Sequence, residues 1–139
     1  MSNKHTLILL DWDNTLFPTT WFTKSSGIES LVKLDKILYY LLTKLKRMGT
    51  VVIVTNALQQ WIDMSSKLLT NTRAILKTIK VMSARELYQD MTSDPKLWKE
   101  HTFKTILSEY DKGKIVNIVS VGDAEYEYHA LISLDKWNP

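Results

Sequence analysis

The apolar positions of this chain fall into short continuous runs separated by longer amphipathic segments. The strongest runs are His5–Leu10, Val51–Thr55 and Ile115–Val121, and a weaker one lies near Ile79–Met82. Continuous apolar runs of this length are typical of strands that are buried on both faces of a parallel sheet. The pattern therefore predicts a mostly parallel sheet.

The segments between these runs have the apolar spacing of helices. In the longest, apolar residues recur every three or four positions and a glycine follows: Leu31, Leu34, Leu38, Leu41, Leu45, Met48 and Gly49. The helices predicted are Ile28–Met48, residues 56–69, Ala84–Asp90, Pro95–Tyr110 after an Asp94-Pro95 start signal, and a short one after GDAEYE. Strands that alternate with helices indicate the α/β class.

Composition narrows the class of protein. The 139 residues are 45% hydrophobic and contain no linker-like stretch, which predicts one domain over residues 1–139. The absence of cysteine excludes disulfides, a thiolate zinc site and a cysteine nucleophile. LILL is too short for a signal-peptide core or a membrane span, so we expect a soluble cytoplasmic protein without membrane contact. The net charge is +3, but the lysines are spread along the chain, so a nucleic-acid surface is not indicated.

Polar residues follow each strong strand where it ends. Asp11 and Asp13 follow the first, Thr55 and Asn56 the second, and Asp123 the third. The carboxyl ends of parallel strands share one edge of a sheet, and ligands bind there. Clustered carboxylates suit Mg²⁺, and an aspartate can attack phosphorus while a second acid transfers the proton.

Such a site needs a cation for the phosphoryl oxygens, and two lysines of the helix 95–110 compete for that role. Lys99 shares the inward apolar face with Phe103 and Ile106, whereas Lys104 falls on the opposite side. We favour Lys99 on this geometry.

Four motifs together resemble those of the haloacid dehalogenase superfamily. DWDNT resembles its DxDxT motif, IVTNA its second motif, the Trp98-Lys99 pair its third-motif lysine, and SVGDAEYE its acidic GDxxxD motif. Their order and spacing match over nearly the whole chain. The resemblance implies a Rossmann-like three-layer sandwich and a Mg²⁺-dependent site that transfers a phosphoryl group.

The resemblance also implies roles for individual residues. Asp11 would be the nucleophile and Asp13 the general acid/base; Thr55 and the Asn56 backbone would hold the phosphoryl group of a phosphorylated substrate, and Lys99 would neutralise its charge. The metal ligands would be the Asp11 carboxylate, the Asp13 backbone carbonyl and Asp123.

Two acidic positions refine this interpretation. An acid at the position of Asp13 separates phosphatase-like members of the superfamily from dehalogenases, whose leaving halide needs no proton. Glu127 stands where the motif has its second aspartate. We assign Glu127 a supporting role beside the metal or its water.

The spacing between motifs leaves no room for a cap domain. In the resembling superfamily an open site tends to go with a macromolecular substrate or with oligomerisation that covers the site. Residues about 14–27 would form the flap beside the nucleophile, in which Trp21 and Phe22 are expected to pack rather than to bind substrate. Little chain follows the last helix, which is typical of a truncated or reduced C-terminal edge and would favour a homodimer.

The leading hypothesis is a Mg²⁺-dependent phosphatase that works through an aspartyl-phosphate. The alternatives are a catalytically silent binding module of the same fold and a phosphoacceptor signalling domain. Such a domain also uses Asp, Thr, Lys and Mg²⁺, but its acceptor Asp and its acidic pair come from different strands, whereas here both aspartates follow the first strand. A purely structural interpretation, in which Asp11 and Asp13 only cap a turn, leaves the other three motifs without a purpose.

Overall fold

A four-stranded parallel sheet forms the centre of the protein. The computed structural model describes residues 5–20, 28–110 and 115–134. The strands are β1 (His5–Leu10), β2 (Gly49–Thr55), β3 (Lys80–Ser83) and β4 (Ile115–Val121). Their order in the sheet is β3-β2-β1-β4, and every neighbouring pair is parallel. The predicted α/β class with its parallel sheet is confirmed.

Six helices pack around the sheet in the described part of the chain. They are α1 (Ile28–Met48), α2 (Gln59–Ser66), α3 (Thr70–Leu76), α4 (Ala84–Tyr88), α5 (Pro95–Ser108) and α6 (Glu125–Ser133). The bounds predicted for α1 and β4 coincide with those observed. The helix predicted over residues 56–69 is present as α2 but is shorter at both ends, and α3 was not predicted; the chain turns after α2, buries Leu69 completely and then starts α3.

Strand residues alternate between the two faces of the sheet, and each face carries its own core. Helices α1, α2 and α3 cover the face that includes Ile8, Leu10, Val51 and Ile53. Helices α4, α5 and α6 cover the face that includes Leu7, Leu9, Val52 and Val54. The arrangement is the predicted Rossmann-like three-layer sandwich.

The packing of α1 differs in detail from its predicted apolar stripe. Leu41 and Met48 are 38% and 67% exposed, and Leu42 is fully buried instead. A straight helix has about 3.6 residues per turn, so a stripe with a seven-residue repeat drifts off the buried face. Gly49 follows α1 directly and starts β2, where a Cβ would lie 2.2 Å from the carbonyl oxygen of Thr6. The glycine therefore allows β1 and β2 to approach as well as ending the helix.

The segments between the motifs contain no cap domain in the described residues, in agreement with the expectation. Residues 56–98 hold only α2, α3, β3, α4 and the start of α5. Trp21 and Phe22 of the expected flap lie outside the described residues, as does the end of the chain beyond residue 134. None of the described helices combines the length and the apolar character needed to cross a membrane.

Candidate active site

The first strand delivers Asp11 into the centre of the carboxyl edge of the sheet. The Asp11 amide donates to the carbonyl of Val121 at 3.0 Å, which extends the pairing of β1 with β4 past Leu10. Its side chain is only 8% exposed. Strands β2 and β4 flank β1 on both sides, so their ends lie next to this carboxylate.

A tight turn after Asp11 directs Asp13 back toward the site. The Trp12 carbonyl accepts the amides of Thr15, Leu16 and Phe17, and Asn14 has a φ of 57°. Asparagine tolerates this left-handed conformation better than most residues. The turn thus places two carboxylates, Asp11 and Asp13, on the same side of the loop.

Two donors hold the same oxygen of Asp13. The Thr19 hydroxyl and the indole Nε1–H of Trp61 each donate to Asp13 Oδ1 at 2.6 Å. The ring of Trp61 packs edge-on against Phe17, with ring centroids 5.9 Å apart. Helix α2 therefore fixes the orientation of Asp13 through the ring and the indole N–H of Trp61.

The end of β2 brings Thr55 and Asn56 to the same edge. Thr55 is fully buried, and its hydroxyl oxygen accepts the Ala57 amide at 3.0 Å. The Asn56 side chain donates to the Pro95 carbonyl at 3.2 Å, which ties this loop to the start of α5. Asn56 Oδ1 is buried and has no hydrogen-bond partner among the described residues.

Lys99 reaches the site from the inward face of α5. It is 2% exposed, and its Nζ donates to Asp11 Oδ1 at 3.0 Å and to Glu127 Oε1. Lys104 is half-buried and makes no ion pair with a described residue. The structure thus brings Lys99, the lysine favoured by helical phase, to Asp11.

Glu127 connects the fourth motif to this lysine. It is 5% exposed and lies in the first turn of α6, where its second oxygen accepts the Ala124 amide at 3.2 Å. A Cβ on Gly122 would lie 2.2 Å from Glu127 Cγ, so the glycine makes room for this side chain. Glu127 positions the Lys99 ammonium as well as contributing charge.

Three carboxylates of the site lie close enough together to hold a metal ion. Oxygens of Asp11, Asp123 and Glu127 are within 4.8 Å of one another. Asp13 is not a member of this carboxylate group, since its side chain is bound to Thr19 and Trp61. The cluster differs from the ligand set implied by the sequence, because Glu127 takes part directly.

The charges of this cluster do not balance. Burial raises the pKa of the Asp11 carboxyl to about 6; Lys99 opposes this rise, and Glu127 and Asp123 add to it. Three carboxylates and one ammonium sum to two negative charges, with Asp11 and Glu127 buried and Asp123 exposed to solvent. A divalent cation would neutralise them.

These groups line one open pocket at the carboxyl edge of the sheet. Its volume is about 330 Å³, and Tyr126 and Ala57 are among the residues that line it. Asp11, Asp13, Asn56, Lys99, Asp123 and Glu127 all contribute to its wall. Thr55 is fully buried and does not line this pocket.

Sequence reasoning missed Trp61, Thr19 and Tyr126. Trp61 and Thr19 contact Asp13 through the phase of a helix and the path of a turn, which no local pattern reveals. Tyr126 could have been found, since it sits between Asp123 and Glu127 in the fourth motif. Comparison with family models, with curated proteins and with solved structures finds no match to this chain.

Proposed function

We propose that this protein is a Mg²⁺-dependent phosphatase of the haloacid dehalogenase type, which hydrolyses a phosphate monoester through an aspartyl-phosphate. The observation that carries the proposal is the convergence of three distant segments on Asp11. Lys99 pairs with Asp11, Thr55 and Asn56 follow the neighbouring strand, and Asp123 follows the strand on the other side. These are the residue types that phosphoryl transfer to a carboxylate requires.

The residues fit a magnesium ion. Asp11, Asp123 and Glu127 supply hard oxygen ligands, and their charge exceeds that of Lys99 by two. The Asp13 backbone carbonyl is the further ligand expected from the resemblance. When bound, the ion would neutralise phosphoryl oxygens and favour the ionised form of Asp11.

In the first half of the reaction, a carboxylate oxygen of Asp11 attacks the phosphorus of the substrate. Lys99 already occupies Oδ1 at 3.0 Å, and Oδ2 accepts only a long 3.4 Å bond from the Thr15 hydroxyl, so Oδ2 is the better nucleophile. The bond from phosphorus to the ester oxygen breaks as the new bond forms. Asp13 gives its proton to that oxygen, and the alcohol leaves.

In the second half, water replaces the enzyme carboxylate on phosphorus. Asp13, now ionised, removes a proton from the water as it attacks, and the bond between Asp11 and phosphorus breaks. Inorganic phosphate leaves, with Asp11 ionised and Asp13 protonated again. Lys99 and the buried Thr55 hydroxyl stabilise the charge on the phosphoryl oxygens in both halves.

The open pocket bears on the class of substrate. No cap domain covers it in the described residues, so a phosphate on a large molecule can reach Asp11 as easily as one on a small metabolite. We therefore propose that the substrate is a phosphorylated macromolecule or a phosphate ester with an extended leaving group.

Phosphate release from an aryl phosphate tests the proposal. The wild-type protein should release phosphate in the presence of Mg²⁺. The Asp11→Asn variant should be at least about a thousandfold less active. The substitution removes one charge from a cluster that has too many, so loss of folding is not expected to explain the loss of activity. Acid quenching should trap a phosphorylated protein that hydroxylamine cleaves, and mass spectrometry should locate the phosphoryl group on Asp11.

Asp63→Asn is the matched control, because Asp63 is an exposed carboxylate on α2 that lies outside this pocket. It should retain wild-type activity. A folded wild-type protein that releases no phosphate from aryl or alkyl esters with Mg²⁺, and forms no phosphoprotein, would contradict the proposal. That outcome would favour the silent binding module.

A further inference from the structure

A single row of cations runs along the solvent face of α1. Lys33, Lys36, Lys44 and Arg47 are all exposed, and Tyr40 stands in the middle of the row with 62% of its surface exposed. Their spacings are three, four, four and three residues, which keeps them on one side of a helix. The row is about 21 Å long at 1.5 Å per residue.

This row lies opposite the face of α1 that packs on the sheet. The buried positions of α1 are Leu31, Asp35, Leu38 and Leu42. About half a helical turn separates them from the cations, so the cations point directly into solvent. Along the sequence the same lysines look dispersed, and only the helix aligns them.

The row has no anionic partners within the described chain. No ion pair between described residues involves any of its four cations. Among the described side chains of 30–48 and 67–78, the only acid is Asp35, which is buried and accepts the Asn71 and Thr72 amides. Neighbouring like charges on one helix face weaken the helix, so an external anion would stabilise this surface.

One aromatic ring, that of Tyr40, is interleaved with the cations. The Lys44 ammonium lies 4.7 Å from the centroid of the Tyr40 ring. Beside the row, a groove of about 430 Å³ between α1 and α3 is lined by Tyr39, Lys46 and Arg47. An exposed ring between cations, with a second ring beside the row, suits a single-stranded nucleic acid, because its bases stack on rings while its phosphates meet the cations.

We propose that the exposed face of α1, defined by Lys33, Lys36, Tyr40, Lys44 and Arg47, binds single-stranded nucleic acid. The cations are separated by about 4.5 to 12 Å along the helix axis, within reach of phosphates on a flexible strand. A duplex offers the same phosphates, but it hides the base faces that Tyr40 and Tyr39 would stack on. This inference does not depend on the chemistry proposed for Asp11.

Fluorescence anisotropy with a labelled oligothymidylate of about 16 nucleotides tests the proposal on the full chain. Four phosphate contacts predict that log K falls with log salt at a slope of about −3, or about fiftyfold between 50 and 200 mM salt. The double variant Lys36→Glu/Lys44→Glu should bind at least about tenfold more weakly, with roughly half that slope. Tyr40→Ala should also lose about tenfold, whereas Tyr40→Phe should keep its affinity.

The matched control is Arg85→Glu/Lys104→Glu, which changes the net charge by the same amount on the opposite side of the sheet. Its affinity should stay within about threefold of wild type. Equal weakening in both double variants would overturn the proposal, because it would reduce the binding to the net charge of the chain. The milder Lys36→Gln/Lys44→Gln variant repeats the comparison if the charge reversals disturb folding.

Two further probes separate this partner from others. A duplex of the same length should bind more weakly than the single strand and should be insensitive to Tyr40→Ala. Vesicles of phosphatidylserine and phosphatidylcholine should bind less well than the oligonucleotide at equal charge. No oligonucleotide binding at low salt, or binding to the vesicles alone, would contradict the proposal.

Discussion

The two hydrogen bonds to Asp13 determine which of its oxygens can carry a proton. Trp61 and Thr19 both donate to Oδ1 at 2.6 Å. An oxygen that already accepts two donors is a poor site for a further proton, so the proton of an acid at this position belongs on Oδ2. Trp61 is therefore a positioning residue for the proposed general acid.

Replacing Trp61 by phenylalanine should impair proton transfer more than phosphoryl transfer. The variant keeps a ring against Phe17 and loses the indole N–H. A hydrogen bond to a charged group contributes about 1.5–3 kcal/mol, so we expect roughly a tenfold lower kcat on alkyl phosphates, whose leaving oxygen needs a proton. Aryl phosphates should lose less than about threefold, because their leaving groups depart more easily without one.

Trp98→Phe serves as the control for that comparison. Its indole donates to the Thr92 carbonyl at 2.8 Å and does not contact Asp13, so the ratio of alkyl to aryl rates should stay at the wild-type value. A second readout is independent of activity. The indole resonance of Trp61 in a ¹⁵N spectrum should move in Asp13→Asn; an unchanged resonance, or equal losses on both substrates, would contradict the role.

At the scale of elements, the structure depends on a contact that joins α1 to α3. Helix α3 has Leu69 at its N-cap and no side-chain cap of its own. Asp35 of α1 supplies it instead, with its carboxylate oxygens accepting the Asn71 and Thr72 amides at 3.0 and 2.7 Å. Burial alone would raise the pKa of the Asp35 carboxyl. The hydrogen bonds from Asn71 and Thr72 have the larger effect together and lower this pKa below 3.8.

Asp35→Asn should destabilise the protein in a pH-dependent way. The amide oxygen can accept only part of what the carboxylate accepts, so the free energy of unfolding at pH 7 should fall by about 1–2 kcal/mol. A carboxyl whose pKa is lowered in the fold stabilises the protein above its unfolded pKa. That contribution is lost as the pH falls through the folded pKa, so wild type and variant should converge below pH 3.8.

Urea denaturation at several pH values from 7 down to about 3 measures this convergence. Asp63→Asn is the control, since Asp63 is exposed on α2, and its difference from wild type should stay small throughout. A difference between Asp35→Asn and wild type that stays constant with pH would mean that packing, rather than the ionised cap, is lost.

This cap also explains which elements the sequence could predict. Helix α1 and strand β4 carry their own periodicity and stop signals, so their bounds were predictable from local pattern. Helix α3 is short, and its cap comes from a residue 37 positions away. No local pattern encodes that contact, which is why the sequence predicts no helix over residues 70–76.

At the scale of the whole molecule, the topology gathers the site. Because β1 lies between β2 and β4, any polar residues after these strands must meet at one edge. The neighbourhood of Asp11, Thr55 and Asp123 was therefore predictable from the strand pattern, and Lys99 from helical phase. The strand pattern does not specify how α6 and α2 dock. It therefore could not predict the ion pair between Lys99 and Glu127 or the hydrogen bond from Trp61 to Asp13.

The same topology concentrates negative charge, so we expect a divalent cation to stabilise the whole fold. Mg²⁺ at ten times its Kd should stabilise the protein by about 1.4 kcal/mol, which raises the Tm by roughly 3–6 °C in a chain of this size.

Asp123→Asn should abolish most of that gain. Without the ion, Asp123→Asn should raise the Tm slightly, because Asp123 is one of the groups that raise the pKa of the Asp11 carboxyl. Thermal unfolding with MgCl₂, with NaCl at matched ionic strength and with EDTA distinguishes these effects. Equal Tm values in MgCl₂ and NaCl would contradict Mg²⁺ binding by the three carboxylates.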